Sequence, residues 1–526
     1  MPPTLLLHSG FIWTGHPSRP LASAVAIEAG RILSIGDDAE VRAAAGRCEE
    51  IDLKGRLVLP GFIDNHVHFM KGGEYLLGLD LRDAAGPEEF ARRIREAVER
   101  GPRGRWITGG RWDNALWPGG VWPHRRLIDP FSPDTPIFVR RADGHSGLAN
   151  ARALALAGIT RGTPNPPGGM IDRDAGGEPT GILRDSAAEL VKAHIPKPTD
   201  EEKERMVRAA LRHAASLGVT SVSDMDSPAF EAYRRLLARG ELTCRIRWYG
   251  AIEQRDRLPA PPPEADRHML QVGGVKAFTD GSLGSRTAWL FDPFADDPAN
   301  YGLPMGGVET GELARAALEA DRAGLQLAVH AIGDRANAAA LDIAERLLRE
   351  NGPRDRRMRI EHAQHLRAED FVRFAQLGVI ASAQPAHVPL DGPVVEPALG
   401  PARAASTYAF RSLLGAGAHL TFGTDWPVTA LDPLANLQAA VTRGVPALGG
   451  PAWHPEQCLT VEESLRCMTS ENARAEFAES FKGRLAPGHA ADLVVLSDDI
   501  FRLPPDRISS ARVEMTICGG RIVWQT

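Results

Sequence analysis

Nowhere in the 526 residues does an apolar run approach the roughly 18 residues that a membrane-spanning helix needs, so no span is expected. Cysteine is scarce: five residues, at 48, 244, 458, 467 and 518, an odd number with no CxxC pair. That argues against a disulfide framework and for a reducing compartment. There is no Lys/Arg-rich block, and a net charge of −6 is small for this length, so nucleic acid is not an expected partner. The opening MPPTLLLHSGFIWTG lacks a basic leader, and His8 interrupts its apolar run; it reads as a strand rather than a signal peptide, and a cytoplasmic protein is expected. Internal repeats and low-complexity tracts are missing too.

What is present is the composition of a soluble globular chain, 43% apolar and 24% charged, and too long for one ordinary core. Both ends are strand-rich: TLLLHSGFIWTG, SAVAIEAGRILSIG and CEEIDLKGRLVLPG at one, ADLVVLSDD and VEMTICGGRIVWQT at the other, with Gly519-Gly520 reading as a hairpin turn. Between them, apolar strands such as MRIEHAQ, LGVIASAQPAHV and AHLTFGTDWPV alternate with helical patterns that stop at glycine, as in AEDFVRFAQLG. Repeated β-then-α units predict a parallel sheet with helical crossovers. The rhythm breaks from about Gly78 to His194, where Arg, Pro, Gly and Trp dominate. The expected architecture is α/β: a (β/α)8 TIM barrel over 59–77 and 195–472, a composite β-sandwich from 1–58 and 473–526, and an insertion or lid subdomain over 78–194 after the first barrel strand.

Within GFIDNHVHFM, His66 and His68 stand two apart, which in a strand puts both on one side, able to meet one cation. An HxH pair alone says little. Here it follows an apolar strand, where a barrel has its active-site mouth. Lys276 lies in GGVKAFTDG, His330 ends LQLAVHAIGD, His362 ends MRIEHAQ, and Asp425 ends LTFGTDWPV. His330 and His362 are 32 residues apart, about one βα unit; His362 and Asp425 are 63 apart, about two. Counted this way, the groups sit on strands 1, 4, 5, 6 and 8. Taken singly, a strand-end His is usually a hydrogen-bonded structural residue, a strand Lys an ion-paired or snorkelling one, and a strand-end Asp a helix cap. Together, buried ionisable groups at a barrel mouth must be paired or metal-bound. Further candidates are weaker. His145 in GHSGLAN, Gln384 and His387 in ASAQPAHV, and Trp112 in the insertion are expected substrate contacts, with a structural loop and aromatic packing as the plain alternatives.

The ordered set HxH, Lys, His, His, Asp resembles the metal signature of the amidohydrolase superfamily. The phrases GFIDNHVHF, VKAFTDGSLGSRTAWL, VHAIGDRAN, RIEHAQ, TFGTDWPV and GRLAPGHAADLVVL are similar to its N-substituted formamide deformylase-like branch, and the resemblance runs over nearly the whole chain. It implies that His66, His68, Lys276, His330, His362 and Asp425 hold one or two divalent ions, Zn²⁺ foremost, with Mn²⁺, Fe²⁺ or Ni²⁺ also fitting imidazole and carboxylate ligands. It implies a carbamylated Lys276, the alternative being an unmodified Lys276 paired with Asp425 or Asp280 at a one-metal site. Asp425 would be the general base for water activated by the ion, in hydrolysis of a non-peptide C–N bond (amide, formamide or cyclic amide) of a small organic substrate. Deamination of a heterocycle uses the same machinery. A non-catalytic relative that keeps the fold for assembly or regulation is disfavoured because all six positions are filled. Dimers are common for such enzymes, so a homodimer is the expected assembly.

Overall fold

The computed structural model describes residues 5–102, 104–141, 146–166, 168–225, 227–449 and 452–526. Eight strands, β1 (Phe62–Val67), β2 (Val219–Met225), β3 (Arg245–Ala251), β4 (Leu270–Phe278), β5 (Gln326–Ala331), β6 (Arg359–His362), β7 (Ile380–Ala383) and β8 (His419–Phe422), form one parallel sheet in that order. Most of their residues are buried, as expected of parallel strands covered on both faces. Helices such as Glu312–Arg322, Asp334–Asn351 and Asp370–Leu377 make the crossovers; Gly378, left-handed at φ 62°, ends the last of these, as AEDFVRFAQLG predicts.

The sheet curls until β8 meets β1. The Asp425 amide donates to the His66 carbonyl (2.7 Å) and the His68 amide to the Trp426 carbonyl (2.8 Å). The Asn472 side-chain amide donates to Ile63 O (2.5 Å) and Phe422 O (2.8 Å), clamping the seam. Approach here is too close for a side chain at 423: a Cβ on Gly423 would lie 2.6 Å from the His66 amide nitrogen. Asp64 completes the join. It accepts from the Thr424 amide (3.0 Å) and hydroxyl (2.6 Å) and from the His66 amide (3.2 Å). A TIM-like α/β barrel is therefore present, with the seam as the place where His66, His68 and Asp425 come together.

The chain ends meet as well. Leu57–Pro60 pairs with Leu493–Leu496 inside a six-stranded sheet that also holds Phe11–Trp13, Leu21–Ala22, Val513–Cys518 and Arg521–Gln525. A four-stranded sheet of Leu5–His8, Ala24–Glu28, Arg31–Gly36 and Glu49–Asp52 supplies Leu5, Leu7, Val25 and Ile27 to the same apolar core as Val58, Leu493, Val495 and Ile517. Each such side chain, fully buried, contributes about 1.5–3 kcal/mol.

Residues 73–209 form a second compact unit with its own six-stranded sheet, from Leu79–Asp80 to Gly169–Arg173 and Pro179–Asp185. Its core holds Phe90, Ile94, Trp112, Trp117, Val139 and Leu148.

Candidate metal centre

The residues singled out at strand ends lie where the count of strands puts them: His66 in β1 with His68 just beyond it, Lys276 in β4, His330 in β5, His362 closing β6, and Asp425 three residues past β8. Ligand atoms of His66, His362 and Asp425 fall within 4.8 Å of one another. His66 Nε2 lies 3.5 Å and His68 Nε2 3.4 Å from the same Asp425 oxygen, Oδ1. The His330 and His362 ring centres are 4.5 Å apart, and those of His66 and His362 5.1 Å. Two of these residues are bent into the left-handed region, His362 at φ 73° and Asp425 at φ 57°. Such a conformation costs a non-glycine residue about 1–3 kcal/mol and is characteristic of functional sites.

Backbone and side-chain partners fix which ring atom each histidine presents. His68 Nδ1 is 2.9 Å from the Met225 carbonyl, and His66 Nδ1 is 2.7 Å from Glu361 Oε2, so both rings turn Nε2 towards Asp425. His330 donates Nε2–H to the Gly281 carbonyl (3.0 Å), which makes Nδ1 its lone-pair side. His362 Nδ1 and Asp425 Oδ1 are buried with no hydrogen-bond partner among the described residues. Orphaned buried polar atoms are costly unless a cation partners them, so this donor set fits a divalent metal. Solvent reaches the group from the side of His68, 28% of whose side chain is exposed.

The electrostatics agree. Burial, then the nearby Lys276 charge, pulls His66 down to about 4 and His330 to about 3. Burial and the neighbouring His330 hold His362 well below the usual imidazole range. Burial alone would raise Asp425, but the neighbouring His66, His68 and His362 outweigh it and hold the carboxyl well below the usual carboxylate range. At neutral pH these imidazoles are uncharged lone-pair donors around an anion. A depressed imidazole pKa means that protons compete with a metal only at lower pH. A divalent ion held at this cluster is therefore expected to remain bound at pH 6 and to leave only on further acidification. Equilibrium dialysis at pH 7, 6 and 4 checks this; release already between pH 7 and 6 would contradict it.

Of the weaker candidates, His387 lies beside the cluster. His387 Nε2 is 3.9 Å from Asp425 Oδ2, its ring centre is 6.1 Å from that of His362, and Nε2 has no partner among the described residues. Gln384 is fully buried; its amide donates to the Ser382 carbonyl (3.2 Å), while Oε1 is unpartnered. Trp112 is a correction. It is fully buried in the core of residues 73–209, its ring 6.0 Å from Phe90 and 6.2 Å from Trp117, and its N–H is donated to the Val139 carbonyl (3.0 Å). A wholly buried ring with its one polar group satisfied is packing, the plain alternative for that position. His145 lies outside the described residues. Asp280, the suggested partner of an unmodified Lys276, is committed elsewhere: its carboxylate accepts the amides of Trp289, Ile332 and Gly333 at 2.7–3.0 Å, tying the loop after β4 to the end of β5. Tyr408 is buried, with its hydroxyl donated to Asp391.

Sequence reasoning passed over Arg359 and Glu361 in RIEHAQ. Both are fully buried and face the barrel axis, where Asn65, Ser223, Tyr249, Ser382 and Thr421 join them in one hydrogen-bonded polar layer. The available signal was two opposite charges at i and i+2 inside an apolar strand, a spacing that puts both on one face.

The Amidohydrolase family profile matches residues 49–524. Over 541 aligned residues, 99% of this chain and 91% of the relative, the chain is 38% identical to Protein LONG AFTER FAR-RED 3 of Arabidopsis thaliana. It is 29% identical to the N-substituted formamide deformylase of Arthrobacter pascens, over 91% of this chain and 90% of that one. Among solved structures it matches an uncharacterized metal-dependent hydrolase from Pyrococcus horikoshii OT3 with a TM-score of 0.80 and 32% identity, over 95% of this chain and 99% of that one.

Proposed function

Because the chain belongs to the amidohydrolase family and is a metal-dependent hydrolase, we propose that it cleaves a non-peptide C–N bond, in an amide, formamide or cyclic amide, of a small organic substrate. The observation that carries this reading is the approach of His66 Nε2 and His68 Nε2 to the single oxygen Asp425 Oδ1, beside the unpartnered Nδ1 of His362. The formamide deformylase, similar over most of its length, supports the choice of bond.

His66, His68, His330, His362, Asp425 and Lys276 would hold one or two ions, Zn²⁺ suiting the nitrogen-rich set best. When bound, a divalent ion makes water a nucleophile at neutral pH and polarises the carbonyl it attacks. Asp425 accepts the proton of that water and returns it to the departing nitrogen. It is an anion at neutral pH, and its carboxylate also faces His387. His387 Nε2 and Gln384 Oε1, buried and unpartnered, are the polar atoms offered to substrate. Lys276 serves as a carbamate: its ammonium loses one proton, the neutral amine adds to carbon dioxide with formation of an N–C bond, and a second proton leaves, so that a cation becomes an anion. Charge favours this, since an ammonium beside His66 and His330 would repel the ion those rings hold.

The test is metal removal with a substrate panel. Stripping the protein with a chelator is expected to reduce turnover to background, and zinc to restore it. The products expected from N-substituted formamides, amides and cyclic amides are a carboxylate and an amine. Ammonia released only from amino-heterocycles would replace this reading with a deaminase. A protein that stays folded and takes up no metal would be a non-catalytic relative.

A further inference from the structure

One ligand position is held by a side chain rather than by backbone, and that side chain is itself held on every oxygen. Glu361 Oε2 is 2.7 Å from His66 Nδ1 and accepts the Ser382 hydroxyl at 2.7 Å; Oε1 accepts Arg359 Nε at 2.8 Å. Arg359 is anchored in turn. It donates to Ser223 Oγ and Tyr249 Oη (both 3.3 Å), to Ser382 Oγ (3.3 Å) and to the carbonyl of Asn65, the residue before His66. Neither side chain has any exposure. We propose that Glu361, braced by Arg359 and Ser382, is a positioning residue that fixes the tautomer and orientation of His66 and thereby sets metal affinity. This rests on the metal reading above.

A buried ion pair is poor value as filler. Desolvating two charges offsets most of their attraction, and apolar replacements of similar volume are often as stable or more so. What apolar residues cannot do is hold a proton on Nδ1. The carboxylate leaves His66 one arrangement, Nδ1–H donating and Nε2 carrying the lone pair, and Nε2 is the atom 3.5 Å from Asp425 Oδ1. His68 takes its orientation from the Met225 carbonyl, which no substitution there removes. His66 is therefore the ring whose set depends on a replaceable side chain.

The probe is Zn²⁺ alone, with its dissociation constant read by chelator competition on the folded full-length protein. Partners of this kind typically govern metal affinity by about 10- to 100-fold, and a loss of that size is expected for Glu361→Gln. The visible spectrum of the Co²⁺-loaded protein should shift with it. A merely structural role would instead lower the Tm of the metal-free protein and leave the dissociation constant and spectrum alone; that result overturns the proposal. If Glu361→Gln does not fold, Ser382→Ala decides. It keeps both charges and removes one hydrogen bond from Oε2, so a several-fold loss of affinity supports the proposal and none overturns it. Failure of the unaltered protein to take up zinc would overturn the metal reading as well. Normal uptake with an indifferent Glu361→Gln removes this inference only.

Discussion

Replacing Asp425 with Asn is expected to lower kcat by about 10³-fold, within the roughly 10²–10⁴-fold range of a lost general base, while zinc at saturating concentration remains in place. The substitution is chosen for the backbone. Asp425 sits at φ 57°, a left-handed conformation that Asn tolerates and most residues do not, so the turn into Trp426 and its closure onto β1 are kept. Asn fills the same space but cannot accept a proton from water at neutral pH. His66, His68 and His362 still offer three nitrogens, so metal binding should weaken without vanishing. Measuring kcat and metal content on the same zinc-saturated sample separates the two effects. A kcat within tenfold of the unaltered enzyme would remove Asp425 from its role as base and leave it a ligand.

The sequence carried much of this because the barrel imposes a simple rule: what ends a strand faces the mouth. His66, His330, His362 and Asp425 could be read as a set because each interrupts an apolar run, and GFIDNHVHFM could be placed because a strand alternates sides. The linear pattern does not say which ring atom faces inward. That follows from long-range partners, Glu361 for His66 and the Met225 carbonyl for His68, at sequence separations of 295 and 157 residues. Nor does it reveal that the layer beneath the site is polar. Arg359 and Glu361 look like ordinary charged residues until the sheet closes and buries both. The aromatic run around Trp112 misled for the opposite reason. A tryptophan in a Gly- and Pro-rich stretch resembles an exposed binding wall, but the stretch builds its own sheet, and its largest apolar side chains fill the core of that unit.

Lys276 offers a prediction whose sign alone discriminates. The side chain is buried in β4, close enough that its charge is the second-largest influence, after burial, on both His66 and His330. A unit charge about 5 Å from another, at an effective dielectric of about 20, is worth about 3 kcal/mol, or about 10²-fold in an equilibrium. If Lys276 remains an ammonium, Lys276→Ala removes a repulsion and zinc should bind more tightly. If it is a carbamate, the same change deletes an anionic ligand. Zinc content after dialysis should then fall, affinity should drop by about 10²-fold or more on the same reckoning, and short carboxylates such as acetate or propionate should restore part of both. The carbamate also requires carbon dioxide: reconstitution of the metal-free protein in degassed, bicarbonate-free buffer should be slow and should recover on adding bicarbonate, a dependence that Lys276→Ala abolishes. Tighter zinc binding in the variant, or reconstitution indifferent to bicarbonate, would leave a bare lysine and a site that depends on the histidines and Asp425 alone.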